Sequence, residues 1–293
     1  MTTTDGGAAV RGDRARSKGW LAVLPLLGFM TLAFGIPGIA LLLGAFTVKD
    51  PQSGLSSLST ANVTASLQGN YLATLLSSVR LSAVVAVLGA ILGVFLAQAV
   101  VTSRFRALRE AVLTASGVLA NFGGVPLAFL WIATLGNSGV VTQAAGLGEA
   151  GWNLYSFWGL VMVYMYFSVP LMVLVVTPAL DGLRPQWREA AHNNGATTWQ
   201  FWRHVGVPVL TPALLGGVVL LFGGAFAAYA TAAAMVGSTV PLVTLQIADA
   251  LTGDVLIGHE NIAFALSLDM IVVAVLVMAI YLPLQKRSSR WLR

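Results

Sequence analysis

Few residues of this 293-residue chain carry side chains that do chemistry. The three histidines are His192, His204 and His259. There is no cysteine, which excludes disulfides, thiol nucleophiles, iron–sulfur clusters and cysteine zinc sites. His259-Glu260 opens the stretch HENIA, but a zinc-hydrolase helix needs its second histidine where Ala263 stands. Gly136-Asn137-Ser138-Gly139 sets a serine between glycines, yet no histidine falls within an apolar stretch to act as its base. A glycine loop ending in Lys-Ser or Lys-Thr, which would cradle nucleotide phosphates, is also missing. The chain is therefore expected to hydrolyse no ATP itself, and neither catalytic nor metal-ligating residues are predicted.

Polar chemistry concentrates instead in "EAAHNNGATTWQFWRHVGVPVLTPALL", Glu189 to Leu215, which holds two of the histidines, a glutamate and two asparagines. Pro185 suits a first helical position, and a short helix is expected from there to about Asn194. Asn194-Gly195 accepts the left-handed backbone that ends helices. Thr197-x-x-Gln200 then spells a capping box for a second helix carrying Trp199, Phe201, Trp202 and Val205. Gly206 and Pro208 are expected to end it, with Pro212 opening the next segment. Two amphipathic helices of this kind fit either a membrane headgroup layer or a protein partner.

The elements that must hold this insert are apolar. Of the residues, 57% are hydrophobic and 9% are charged, against about 25% charged in ordinary soluble domains. No charge occurs from Trp20 to Phe46, a stretch of roughly 40 Å as helix against a hydrocarbon core of roughly 30 Å. Further spans are expected at about 72–100, 112–135, 157–178, 213–236 and 262–284. Asn121, Gly123, Gly124 and Pro126 break the third near its middle, as membrane proteins tolerate where a segment faces protein or a cavity. The fold class is thus an all-α membrane protein of six spans. Residues 1–19 form a polar, glycine-rich tail expected to be disordered, 20–285 the transmembrane domain, and 286–293 a basic tail.

Fourteen of the sixteen basic residues fall on one side of that layout. They precede the first span (Arg11, Arg14, Arg16, Lys18) or follow the second (Arg104, Arg106, Arg109). The rest follow the fourth (Arg184, Arg188, Arg203) or the sixth (Lys286, Arg287, Arg290, Arg293). The opposite loops hold Lys49 against Asp50, Glu149, Asp249, Asp254 and Glu260. By the positive-inside rule both termini and the insert are cytoplasmic. The net charge of +5 then records topology and does not indicate a nucleic-acid surface.

Glu189-Ala190-Ala191, Gly195-Ala196, Val207-Pro208 and Pro212-Ala213-Leu214 together resemble the EAA motif. That motif marks membrane permeases of binding-protein-dependent ATP-binding-cassette importers. Its spacing, its place before the penultimate span and its cytoplasmic side all agree. The stretch LGNSGVVTQAAGLG is similar to the family's loop after the third span. The likeness covers about residues 70–285. Asn194 stands where family members often have aspartate, and Val207 where isoleucine or leucine is usual. The resemblance implies a type I importer permease in a prokaryotic cell membrane, with a coupling insert at about 181–212. Glu189, Ala190, Ala191, Gly195, Ala196 and Pro208 would then seat it on a separate ATPase. The implied partners are two ATPase subunits holding ATP and magnesium, a second permease subunit, an extracytoplasmic solute-binding protein and membrane lipid. No cofactor is expected on this chain.

Phe222 to Gly237, FGGAFAAYATAAAMVG, resembles the fifth-span segment of polyamine permeases, with Ala227 and Ala232 replacing the usual glycine and proline. Polyamine is the leading expectation for the solute. Phosphonate, iron, thiamine and sulfate importers are alternatives, as is an ion-coupled secondary transporter. Tyr229 and Asn121 are substrate-path candidates, with simple packing as the alternative for Tyr229. Arg80 and Asp269 complete the set as the charges placed within spans, each roughly 10–13 Å below its outer end. Either they face each other across the bundle, or Arg80 reaches the headgroups while Asp269 sits apart.

Overall fold

The computed structural model describes residues 23–49, 56–237, 239–252 and 259–288. The predicted disordered tail lies outside these residues, as do Asp50, Asp254, Arg290 and Arg293. Six helices are long and apolar enough to cross a membrane, in agreement with the six expected spans. The first comprises α1 (Leu24–Met30) and α2 (Ile36–Ala45), joined without interruption by a π turn at Thr31–Gly35. A short hairpin follows, β1 (Thr47–Lys49) pairing antiparallel with β2 (Ser56–Leu58), and then α3 (Ala61–Ser66).

The second span, α4 (Gly69–Thr102), is 34 residues long, or about 51 Å at 1.5 Å per residue. The third expected span, 112–135, is split into α5 (Arg106–Leu119) and α6 (Gly124–Leu135) at Asn121, Gly123 and Gly124, and the apolar stretch of membrane length runs instead from Gly124 to Ala144. After α7 (Val140–Ala144) comes α8 (Phe157–Asp181), the fourth span. The insert contributes α9 (Pro185–Asn193) and α10 (Thr198–Phe201). A second π turn, Trp202–Gly206, leads directly into α11 (Val207–Ala227). Two further short helices, α12 (Ala230–Met235) and α13 (Val243–Thr252), precede the last span, α14 (His259–Ser288).

The structure corrects two expectations around the fifth span. Gly206 and Pro208 do not end the insert's second helix, and Pro212 lies inside α11. Pro208 falls in the first turn of α11, where its missing N–H breaks no hydrogen bond. The π turn before it shifts the hydrogen-bond register, and Pro37 follows the first π turn in the same way. The fifth span also ends at Ala227, well short of 236, because the chain leaves the helix at Ala228.

Helix α8 is the hub. Over its apolar stretch 56% of residues are buried, against 0% for the first span, which sits at the edge against α14. Close packing at the hub depends on missing side chains. A Cβ on Gly93 of α4 would overlap Met172 of α8, and one on Gly217 of α11 would overlap the sulfur of the same methionine. Met172 is fully buried between the two glycines. Small residues of this kind let helices approach in lipid, where no hydrophobic force drives them together.

Candidate functional site

Two regions bring several of the predicted site residues together. The first is the insert. At the end of α9 the Asn194 amide donates to the Ala190 carbonyl at 2.8 Å, and Gly195 N–H donates to His192 at 2.9 Å. Gly195 has φ +79°, a left-handed conformation that a β-branched residue resists. Ala196 N–H then donates to Ala191 at 2.9 Å. The predicted capping box is present: Thr197 N–H donates to Gln200 Oε1 at 2.7 Å, and Gln200 N–H donates to Thr197 Oγ1 at 3.3 Å.

These bonds fix the turn without help from a core, since α9 buries none of its residues. Glu189 is exposed, as are Trp187 and Trp199. Only Phe201 is buried within α10, and Trp202 packs into the cluster formed by Leu180 and Leu210. The insert is thus anchored at its C-terminal end and free along α9. Between α9 and the C-terminal ends of α4 and α8 lies a groove of about 390 Å³, lined by Arg188, Glu189 and His192. Arg109 of α5 donates to Asp181 at the end of α8 at 2.5 Å, closing the bundle just above the insert. Sequence reasoning used Arg109 only as a topology marker and missed this pair.

The second region is a cavity of about 360 Å³ where two spans break. Asn121, Gly123 and Gly124 line it from the α5–α6 break, Tyr229 and Thr231 from the α11–α12 break, and Ser168 from α8. Two of the four predicted path residues, Asn121 and Tyr229, therefore meet here. Asn121 closes α5 by donating to the Gly117 carbonyl at 2.9 Å. Gly124 then takes φ +75°, which only glycine adopts readily.

The two breaks are tied together. Gly124 N–H donates to Thr231 Oγ1 at 2.9 Å, and the same hydroxyl lies 3.2 Å from the Gly124 carbonyl as donor. Tyr164 of α8 donates to the carbonyl of Ala228 at 3.1 Å, satisfying a group the helix break had released. Ser168 differs from its neighbours. Thr177 in the same helix and Ser82 in α4 bond the carbonyl four residues back, at 2.6 and 2.8 Å. Ser168 Oγ makes no hydrogen bond, although the residue is only 1% exposed. The one available signal for it was a lone serine inside an apolar span.

Arg80 and Asp269 lie elsewhere and do not pair. Among the described residues no ion pair joins them. The Arg80 guanidinium sits 5.1 Å from the ring centroid of Phe157, the first residue of α8. Asp269 is buried beside Ser66 of α3, and its Oδ2 has no hydrogen-bond partner. Equal depth on two helices did not make them neighbours, because Arg80 packs against the start of α8 and Asp269 against α3.

Comparison with known proteins adds to this geometry. The family model described as binding-protein-dependent transport system inner membrane component matches residues 89–290. The sulfate transport system permease protein CysT of Escherichia coli (strain K12) is 41% identical over 68 residues, 23% of this chain and 24% of that protein. The probable sulfate permease of Zygnema circumcarinatum is 29% identical over 170 residues, 57% of each chain. The molybdenum transport system permease protein ModB of Mycobacterium bovis is 29% identical over 213 residues, covering 69% of this chain and 75% of that one. The chain thus spans a quarter to about half of the sulfate permeases named here. Among solved structures, a bacterial ABC transporter involved in alginate import aligns with TM-score 0.68 at 20% identity, over 94% of this chain and 98% of that one. A complex of the alginate transporter with its pentasaccharide-bound periplasmic protein gives 0.70 at 19%. These two likenesses support the type I permease fold.

Proposed function

The chain belongs to the family of binding-protein-dependent transport system inner membrane components, and from that premise we propose that it is one membrane-spanning subunit of an ATP-driven importer. The observation that carries this reading is the insert. Its two helices are turned by Gly195 and capped by Thr197 and Gln200, lie exposed along α9, and continue into the fifth span. A surface of that form transmits motion from a docked ATPase to the bundle, with Glu189 and its neighbours as the contact. The ATPase pair holds ATP and magnesium, a second permease subunit completes the pore, and a solute-binding protein docks on the opposite side. Both termini are cytoplasmic in a prokaryotic cell membrane.

The solute of this reading is a small anion. The curated relatives named above are called sulfate and molybdenum permeases, which weighs against the polyamine expected from residues 222–237. The cavity agrees, since no carboxylate lines it and Asp269 lies apart. The test is uptake by the complex purified with its own ATPase and reconstituted in liposomes. Sulfate or molybdate accumulation that requires both ATP and the binding protein is the expected result. Uptake of spermidine, or uptake driven by an ion gradient without ATP, would overturn the reading.

A further inference from the structure

We infer that the groove beneath α9 is a binding site for one acidic phospholipid. Arg184 and Arg188 hold its phosphodiester, and an acyl chain lies on the apolar floor. The inference goes beyond the importer reading and does not depend on which solute the chain moves.

Three observations converge on it. The first is depth. The groove lies where α4 and α8 end. With 34 residues, α4 runs about 51 Å against a hydrocarbon core of roughly 30 Å. Its last turns therefore leave the core among the lipid heads. The second is the groove's own amphiphilic build. Val101 of α4, Leu183 beyond α8 and Trp202 belong to its floor, whereas Arg184, Arg188, Glu189 and His192 stand at its rim. Neither guanidinium of the rim makes an ion pair among the described residues, although Glu189 shares the rim. The nearby arginines of α5 differ, since Arg106 pairs with Glu110 and Arg109 with Asp181.

The third is charge. The two arginines and the one glutamate of the rim leave one positive charge. A phosphodiester brings one negative charge, and a guanidinium fork binds two of its oxygens together. Gln98 adds an amide from the α4 wall. Inorganic phosphate lacks the chain that would cover the floor, and a choline head would bring an ammonium to the arginines. A basic rim over an apolar floor, at the ends of spanning helices, is the complement of an acidic lipid.

The placement also fits the insert. Pro185, Arg188, Glu189 and His192 line the groove at the i, i+3, i+4, i+7 spacing of one helical face. Trp187 and Ala190 fall on the opposite face, exposed, and stay open to a protein partner. A lipid in the groove gives α9, which buries none of its own residues, something to rest on.

The full chain, alone and with its partner subunits, is stripped of lipid in detergent. It is then given phosphatidylglycerol, phosphatidylcholine or inorganic phosphate. Native mass spectrometry counts retained lipid, and the melting temperature reports its effect. Phosphatidylglycerol should be retained by both preparations and should stabilise them, and the other two should do neither. Arg184→Gln and Arg188→Gln should each weaken retention about fivefold, the share of one arginine at a charged membrane surface. Without lipid, both variants should melt with the wild type, because neither side chain has an ion-pair partner to lose. Arg106→Gln removes the same charge outside the groove and should leave retention unchanged. Retention that survives loss of both groove arginines, or that falls equally with Arg106→Gln, would overturn the site. Equal retention of phosphatidylcholine by the wild type would overturn the role of the phosphodiester. Displacement of the lipid by inorganic phosphate would overturn the role of the chain. Retention by the chain alone but not by the complex would show that a partner polypeptide fills the groove, and would overturn the lipid as its occupant.

Discussion

The insert and the cavity, proposed above as docking surface and solute space, are built by opposite means. The insert displays charge and aromatic area on short helices with almost no core beneath them, and it is held by local capping bonds. The cavity displays no charge. It is made from interrupted helices whose freed backbone groups are bonded across the bundle, Gly124 to Thr231 and Ala228 to Tyr164. A protein partner in water can pay for desolvating a glutamate, whereas a solute crossing a bilayer interior needs donors that bind and let go. The insert is therefore a surface of charged and aromatic side chains, and the cavity one of apolar side chains such as Phe167, Leu171 and Leu221 beside the broken helices.

The two regions share one scaffold, and a change there should damage both at once. Gly93→Val would drive a branched side chain into Met172, the residue clamped between α4 and α11. Overpacking of this kind costs about 1–3 kcal/mol. Lower thermal stability in detergent, with ATPase association and solute binding by the assembled complex falling together, is the expected result. Loss of one readout with the other intact would mean that the regions are mechanically independent.

A change confined to the insert should separate them. Gly195→Val forces a β-branched residue into φ +79°, at a cost of about 1–2 kcal/mol borne by a turn with no core to compensate. Glu189→Lys reverses a charge on the exposed face of α9. Both variants should reach the membrane and keep solute binding by the assembled complex, while ATP-dependent uptake and stimulated ATPase activity fall severalfold or more. Normal transport with normal ATPase co-purification would remove the coupling role from these residues.

The same contrast explains what the sequence made legible. The insert's turn, cap and stop depend on residues within four positions of one another, so Asn194-Gly195 and Thr197-x-x-Gln200 announced it. The α5–α6 break was legible for the same reason, through Asn121, Gly123 and Gly124. The break at Ala228 was not. The surrounding AFAAYATAAAM favours continued helix, and what releases it is a hydroxyl from Tyr164, 64 residues away along the chain. Proline misled in the other direction. Pro208 and Pro212 read as boundaries, but a π turn and a first-turn position absorb the former within a continuous helix. Arg80 and Asp269 were matched in depth along their helices, and only the packing of α3 and α8 shows that they have different neighbours.

The smallest effect tests how the two regions are joined. Arg109–Asp181 ties the start of α5, whose far end forms the cavity, to the end of α8, from which the insert departs. Its side chains are 33% and 40% exposed, so water and salt screen it partly. Arg106–Glu110, one turn away at 3.0 Å, is 91% and 65% exposed and lies within a single helix. Exposed pairs contribute about 0.2–1 kcal/mol, and those within a helix about 0.3–0.5. A double-mutant cycle on Arg109 and Asp181 should therefore give a coupling near the upper end of that range, and one on Arg106 and Glu110 near the lower. Stability alone barely distinguishes them, and transport should do so. If α5 and α8 must move as one body when the insert shifts, Arg109→Ala slows uptake by more than its loss of stability explains. Arg106→Ala, which joins no second helix, leaves uptake unchanged. Equal effects of the two substitutions on uptake would show that the inter-helix pair carries no motion from insert to cavity.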